Sequence, residues 1–495
     1  MGEGTRRFAA LLAPRREIAG LALILIAASA LRFPGLADLP LIGDESYYWL
    51  WSRQPDWSFY DHPAGVALLV RASTAIGGPG HLGVRWLNAL VGTASVFFAW
   101  LAGRRILSDQ AGLVAAAALA FGAPYILTSR FVYTNTLPLL LVLINLLAFW
   151  RMTQEPTGPR QGLLFGLSMA TLFNTKYVGY VYALSLTVAV LIDHRALLGT
   201  RRLWIGAVIA SLGLLPVLLW NLEHDWISFR WQLSHLTSTT LGSAGLLRHG
   251  HHAWTYLTGP LVALAGAGLA RFRNRAERLL TIVALGLLLP IALSPASSPR
   301  NLSLGLVPLL MLAGTRLPVD LSSAPRRAAA AAFLTLLLGT SLYGIGTVIS
   351  LHTSAPLPRS SIVPAIRRDA AGWPTLAGAL EGGPDPVLTV DYSLAAQIRY
   401  YTNRPAYTHW GQYQVWGIPP FSDATVVSLD YLDQDTLTAR LRGAFGQLDG
   451  PRETVIAEGG STKVILVWHG WGLHCDQQRF LDQLDFLSLL QTVER

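Results

Sequence analysis

Apolar stretches of near-helical length recur through the first 351 residues, separated by short polar turns. A helix crossing a bilayer takes about 17–25 apolar residues. Eleven stretches approach that need, at 18–33, 84–103, 111–127, 135–150, 160–175, 177–193, 203–220, 253–270, 279–294, 302–315 and 328–350. Beyond 351 the pattern changes. Segments 386–391, 425–430 and 463–468 read as buried strands, and 392–401, 434–446 and 476–490 as helices. That alternation predicts a small α/β domain. The chain therefore divides into a polytopic α-helical membrane part, 1–351, and a soluble part, 352–495, with Ser354-Ala-Pro-Leu-Pro358 as linker because Pro disfavours helix continuation.

Composition supports this division. Apolar residues make up 52% of the 495 and charged residues only 14%, against about 25% in soluble domains. Mean hydropathy is +0.40 and Cys475 is the single cysteine. A disordered chain, a basic nucleic-acid-binding domain and a disulfide scaffold are excluded; no nucleic-acid partner is expected. The net charge of +9 splits into +13 before residue 352 and −4 after it. The basic residues are almost all Arg, Lys176 and Lys463 being the only lysines.

Charge also predicts orientation. With Arg6, Arg7, Arg15 and Arg16 in the cytoplasm, the inner loops carry Arg104-Arg105, Arg151 and Arg160, Arg195 with Arg201-Arg202, Arg271 to Arg278, and Arg316 with Arg326-Arg327. Every alternate loop is basic, as the positive-inside rule requires. Loops 34–83, 128–134, 221–252 and 295–301 and the C-terminal domain then lie outside. The basic start of 1–33 leads through its apolar run into Arg32-Phe-Pro without a small-residue cleavage site, so no cleaved signal is expected. Half of the acids before residue 352 fall in the outer loops, which predicts chemistry on the outer face.

The first outer loop is the richest. Asp44 and Glu45 follow an apolar Leu-Ile-Gly turn, and charge near lipid marks function by default. Asp44 is equally placed to cap the next helix; one acid can cap while its neighbour reacts. The aromatic stretch 46–53 and the stretch 64–76 are candidates to lie flat on the outer leaflet. Tyr60-Asp61-His62-Pro63 forms a second polar cluster, with His62 either a base, a phosphate partner or a structural imidazole. Lys176, in Asn-Thr-Lys-Tyr between two apolar runs, either snorkels to the headgroups or holds a phosphate. Arg300 sits at the outer end of two helices and offers a bidentate phosphate contact or an ordinary interfacial charge. The stretch Trp220 to Arg230, with Asp225 and Trp226, is an interfacial belt or a lid, and His235 lies just beyond it. His249, His251 and His252 lack a nearby acid to complete a metal site. Asp391-Tyr392 and the aromatic run Tyr407 to Trp416 are better explained by core or surface roles than by substrate. Walker, dinucleotide, CxxC and HExxH patterns are absent.

Gly43-Asp44-Glu45-Ser-Tyr-Tyr-Trp followed by Tyr60-Asp61-His62-Pro63 resembles the first-loop signature of bacterial family 39 glycosyltransferases, which are similar to protein mannosyltransferases and to the lipid A aminoarabinose transferase. Thr175-Lys176-Tyr177, Trp220 to Arg230, Ala371 to Pro374 and Asp391 to Ala396 extend the resemblance over most of the chain. It implies a GT-C fold of about eleven spans in the bacterial inner membrane. It also implies transfer of a sugar, with inversion, from a polyprenyl-phosphate donor to a lipid, glycan or protein acceptor on the outer face. Asp44 is then the candidate base with Glu45 in support. Lys176, Arg300 and His62 are candidates for the donor phosphate, and Tyr60, Asp61, Asn135, Asp225, Trp226 and Arg230 for the substrate loops. The family's Asp-x-Pro arrangement before the fourth helix is replaced by Asn135-Thr-Leu-Pro138, which weakens a divalent metal there; no cofactor is otherwise implied. A lipid-linked-sugar flippase and an inactive envelope-assembly subunit remain the alternatives.

Overall fold

The computed structural model describes residues 3–154, 159–237, 250–251, 254, 256–270, 273–292, 299–318, 320–353, 362–430, 432–458 and 461–484. Each of the eleven apolar stretches carries helix. The principal helices are Glu3–Arg32, His81–Ile106, Asp109–Phe121 with Ala123–Arg130, Thr136–Gln154, Arg160–Phe173, Val178–Asp193, Arg201–Leu212 with Leu215–Glu223, Gly259–Gly266, Arg275–Ala292, Leu302–Gly314 and Ala324–His352. Length and apolar character alone qualify four of the described helices as spans, or five if the bent pair 109–130 counts as one. Exposed leucines such as Leu23, Leu167, Leu184 and Leu338 stud the outside of this bundle, as expected of lipid-facing positions.

The bend has a visible cause. Pro124 follows Gly122, and the two half-helices meet at 58°. A break at this depth frees carbonyls that need donors. Arg32, fully buried, supplies them: Nη2 donates to Leu119 O at 2.7 Å and Nη1 to Ala120 O at 3.0 Å.

Helices 81–106, 136–154, 178–193 and 302–314 each begin at one end of the bundle, near Arg85, Asn135, Lys176 and Asn301, and 275–292 finishes there at Pro290 and Ile291. Arg104, Arg151, Arg278 and Arg316 sit at the other end of these helices, where Arg278 pairs with Asp193 at 2.6 Å. The bundle is therefore basic at one end and carries the polar cavity described below at the other.

Residues 363–484 form a five-stranded sheet in the order β2-β1-β3-β5-β4, with β1 Val387–Thr389, β2 Ala406–Thr408, β3 Ala424–Leu429, β4 Phe445–Glu458 and β5 Ser461–Leu473. β1 is parallel to β2 and β3, while β5 runs antiparallel to β3 and β4. Helix Tyr392–Thr402 is the crossover between the parallel strands β1 and β2. The linker proposed at 354–358 lies outside the described residues.

The stretch 46–53 departs from the sequence expectation. Helix Gly43–Arg53 does not lie bare on a leaflet; most of it is buried beneath helix 392–402. Tyr47 packs on Tyr392 at 4.6 Å, Trp51 stacks on Phe59 at 4.4 Å and Trp49 meets Tyr400 edge-on at 4.8 Å. Aromatic residues suit a membrane interface and a domain interface equally, so composition could not separate the two.

A cavity between the helix-connecting loops and the C-terminal sheet region

Helix 43–53 is started by Ile42, in extended conformation, and by Glu45, whose Oε2 accepts the Ile42 N–H at 3.1 Å. Of the two adjacent acids it is Glu45 that caps. The same carboxylate takes Arg85 bidentately, at 2.8 and 2.5 Å, and the Val132 N–H at 2.9 Å. Arg85 spends its remaining donors on the carbonyls of Leu36, Leu39 and Pro40. Glu45 is thus wholly enclosed, fully bonded and does not line the cavity. It clamps three chain segments together and meets the cavity only through its neighbour Asp44, the residue it was expected to support. Cutting the pair leaves a buried charge without its partner, which costs about 3–5 kcal/mol. Arg85→Met should therefore lower the unfolding temperature of the detergent-solubilised protein sharply, whereas a surface Arg such as Arg53 should not.

With its neighbour turned inward, Asp44 faces a cavity of about 650 Å³. Asp61, His62, Asn135, Lys176 and Arg300 face the same space, so six of the eleven candidates converge. Tyr48, Tyr133, Thr134, Tyr177, Asn301, Tyr392 and Trp410 complete the polar wall. Val178, Val181, Phe229, Leu233, Pro290 and Ile291 add an apolar part to the lining.

The charges are arranged in an order that matters. Arg300 Nη1 donates to Asp44 Oδ2 at 3.1 Å, and its guanidinium lies 4.3 Å from the centre of the Tyr133 ring. The Tyr392 hydroxyl donates to Asp44 Oδ1 at 3.3 Å. Burial alone would lower the Arg300 pKa, but Asp44 and the surrounding tyrosines outweigh it and raise it. Burial and the Asp44 charge together push the Asp61 carboxyl up to about 7, against a hydrogen bond from Tyr47.

Lys176 is buried and has no carboxylate partner within ion-pairing distance among the described residues. Its ammonium donates to Thr134 Oγ1 at 2.9 Å, to Asn301 Oδ1 at 2.7 Å and to Asn135 Oδ1. Asn135 is fixed in turn by donating to the Arg300 carbonyl at 2.8 Å. Burial first, and Arg300 second, bring the Lys176 pKa down to about 7. A buried cation held by neutral acceptors is costly without a counter-charge, so an anion entering beside it is favoured. Snorkelling to the headgroups is excluded by this arrangement.

The oxygens of Thr134, Asn135 and Asn301 would be the donor set for a divalent cation between these loops. The Lys176 ammonium already sits on all three. The residues present do not fit a metal there. Among the described residues no group of three or more His, Cys, Asp or Glu side chains is arranged to hold one. His249 and His252 lie outside the described residues, as does the His235 side chain.

Besides Glu45, four candidates lie off the cavity. Tyr60 gives its N–H to Gln412 Oε1 at 2.7 Å and its ring to Trp231 at 5.4 Å. Asp225, Trp226 and Arg230 are exposed. Asp225 and Trp226 nonetheless shape the wall: both have positive φ, 51° and 59°, a conformation strained for such side chains. Asn221 stabilises that turn by accepting the Trp226 N–H at 2.7 Å and the Phe229 N–H at 3.4 Å. The turn aims helix Ile227–Thr237 so that Phe229, Trp231, Gln232 and Leu233 cover the cavity, and Gln232 donates to Asp61 O at 2.7 Å.

Tyr392 was masked in the sequence by its fit as a core residue after a strand. Its approach to Asp44 depends on Gly43, where a Cβ would lie 2.4 Å from the Ser393 Cβ. Asp369 holds the same turn, accepting the Gly43 N–H at 3.0 Å. Burial raises the Asp369 carboxyl to about 6 even beside Lys463.

Residues 61–220 match the dolichyl-phosphate-mannose-protein mannosyltransferase family. A lipid A galacturonosyltransferase, RgtD of Rhizobium johnstonii, is 28% identical over 183 residues, or 37% of this chain. The match spans 38% of that relative's length. In fold, ArnT of Cupriavidus metallidurans bound to undecaprenyl phosphate superposes with a TM-score of 0.57 at 18% identity, covering 91% of this chain and 97% of that one. The archaeal oligosaccharyltransferase AglB of Archaeoglobus fulgidus, in complex with an inhibitory peptide and a dolichol-phosphate, gives 0.53 at 12% identity, covering 84% and 70%.

Proposed function

We propose, from a fold shared with the GT-C glycosyltransferases and a sequence similar to the mannosyltransferase family over 61–220, that this chain moves a sugar from a polyprenyl-phosphate carrier to an acceptor hydroxyl. The observation that carries the reading is the juxtaposition of a carboxylate, Asp44, with two cations, Lys176 and Arg300, in one cavity whose lining is part polar and part apolar. The polar lining groups suit a phosphosugar and the apolar ones the first units of an isoprenoid chain.

In the reaction the acceptor oxygen attacks the anomeric carbon as Asp44 takes its proton. The new carbon–oxygen bond forms as the bond to the phosphate oxygen breaks, and the polyprenyl phosphate departs with the electron pair. Lys176 and Arg300 stabilise that charge as fixed donors in a site shielded from water. A single displacement inverts the anomeric centre. The basic end of the bundle then faces the cytoplasm, with eleven crossings, an outward cavity and an extracytoplasmic C-terminal domain.

A second reading exchanges the two carboxylates. Asp61 titrates near 7, which suits a general base, and Asp44 would then serve to orient Arg300. Asp61→Asn separates them: near-complete loss with Asp44→Asn retaining activity would favour Asp61.

The defining experiment is reconstitution in lipid vesicles with a polyprenyl-phospho-sugar. Sugar appearing on the acceptor supports transfer; movement of the intact carrier alone supports a flippase. Transfer in that assay is expected to survive a strong chelator, because Lys176 occupies the oxygens a divalent ion would use; loss restored by added metal would overturn that point.

A further inference from the structure

The C-terminal domain holds a second cavity, of about 340 Å³, lined by Gln54, Arg399, Tyr407, Trp416 and residues 417–419. It opens at the far end of helix 43–53 from Asp44, since Gln54 is that helix's C-cap. Eleven residues of helix at 1.5 Å per residue put the two cavities about 15 Å apart. One segment serves both: Trp410 faces the first cavity and Trp416 the second, and between them Gln412 gives its N–H to the Tyr47 hydroxyl at 2.6 Å.

The second cavity is chemically distinctive. The Arg399 guanidinium is laid over the Tyr407 ring at 4.7 Å. It makes no ion pair and no side-chain hydrogen bond with any described residue, so a stacked, oriented fork of donors is left for something else. Tyr413 packs behind Trp416 and Tyr407, at 5.6 and 6.4 Å between ring centres, and its buried hydroxyl has no hydrogen-bond partner among the described residues. Flat aromatic faces suit the apolar C–H faces of a pyranose ring. A pre-oriented guanidinium suits a carboxylate or phosphate bidentately, and Gln54 adds a neutral donor and acceptor.

We infer that this cavity is a subsite for an acidic saccharide carried by the acceptor, gripped on Trp416 and Tyr407 and anchored by its anion on Arg399. The inference rests on the transferase reading, yet it is tested by binding alone. The probe is a hexuronic acid trisaccharide, titrated into detergent-solubilised full-length Asp44→Asn protein, with tryptophan fluorescence as readout. Binding should weaken by about 10–100-fold in Arg399→Gln, and the fluorescence response should shrink in Trp416→Phe. The fully methyl-esterified trisaccharide, which lacks the charge, should bind as weakly to the parent as the acid does to Arg399→Gln. Polyprenyl phosphate should not compete. Equal binding of acid and ester, indifference to both substitutions, or displacement by polyprenyl phosphate would each overturn the assignment. Loss of transfer in the wild-type protein would bear on the catalytic reading and leave this one standing.

Discussion

Asp44→Asn is expected to cut sugar transfer by about 10²–10⁴-fold, the usual contribution of a general base, with membrane insertion and folding intact. The amide oxygen still accepts from Arg300, and the amide NH2 can donate to the Tyr392 hydroxyl in a reversed bond, so geometry is largely kept while the proton acceptor is lost. Because Asp44 does not cap its helix and Glu45 does, the substitution removes no structural bond that the fold requires. The measurement is single-turnover transfer by protein whose thermal unfolding matches wild type. Full activity in that variant would sink the assignment of Asp44.

Lys176→Ala should act on the donor. Removing the ammonium strips the phosphate of a charge-assisted partner, worth about 1.5–3 kcal/mol, and the expected result is a rise in KM for the carrier of about 10–100-fold. Unchanged donor affinity and rate would count against a phosphate role. The pH dependence gives an independent check with a definite sign. Lys176 carries its charge below about 7 and loses it above, so donor use in the wild type should decline as pH rises past neutrality. A guanidinium stays charged throughout this range. Lys176→Arg, if it binds donor at all, should flatten the alkaline limb of kcat/KM. A wild-type profile that keeps rising through pH 8.5 would contradict this.

The helical bundle was legible because length and hydropathy are local properties. All eleven apolar stretches carry helix, though their count as crossings is a matter of geometry that periodicity does not supply. In the C-terminal domain the runs at 387–389 and 424–429 were readable from continuous apolar residues. Strand β4 was not, since Gln447 to Glu453 is polar and interrupted by Gly450-Pro451, and its pairing with β5 shifts register there.

The candidate site was legible where a residue broke the compositional pattern. Lys176, nearly alone among arginines, and the acids of the first loop stood out for that reason. What sequence could not tell was which of two adjacent acids turns inward. Asp44 and Glu45 are equal on paper; only Arg85, forty residues away, decides the matter. Tyr392 was hidden for a related reason: its contact with Asp44 spans 348 positions.

That long-range contact has a consequence for biosynthesis. The helical bundle and its connecting loops leave the ribosome first, carrying Asp44, Lys176 and Arg300. Tyr392, Asp369 and Trp410 are made later; Tyr392 and Trp410 line the cavity and Asp369 grips the Gly43 turn. Until that segment has folded against the first loop, Asp44 lacks Tyr392 and the cavity lacks that part of its lining. On the transferase reading, a chain that stops short of residue 392 should insert in the membrane yet show no sugar transfer.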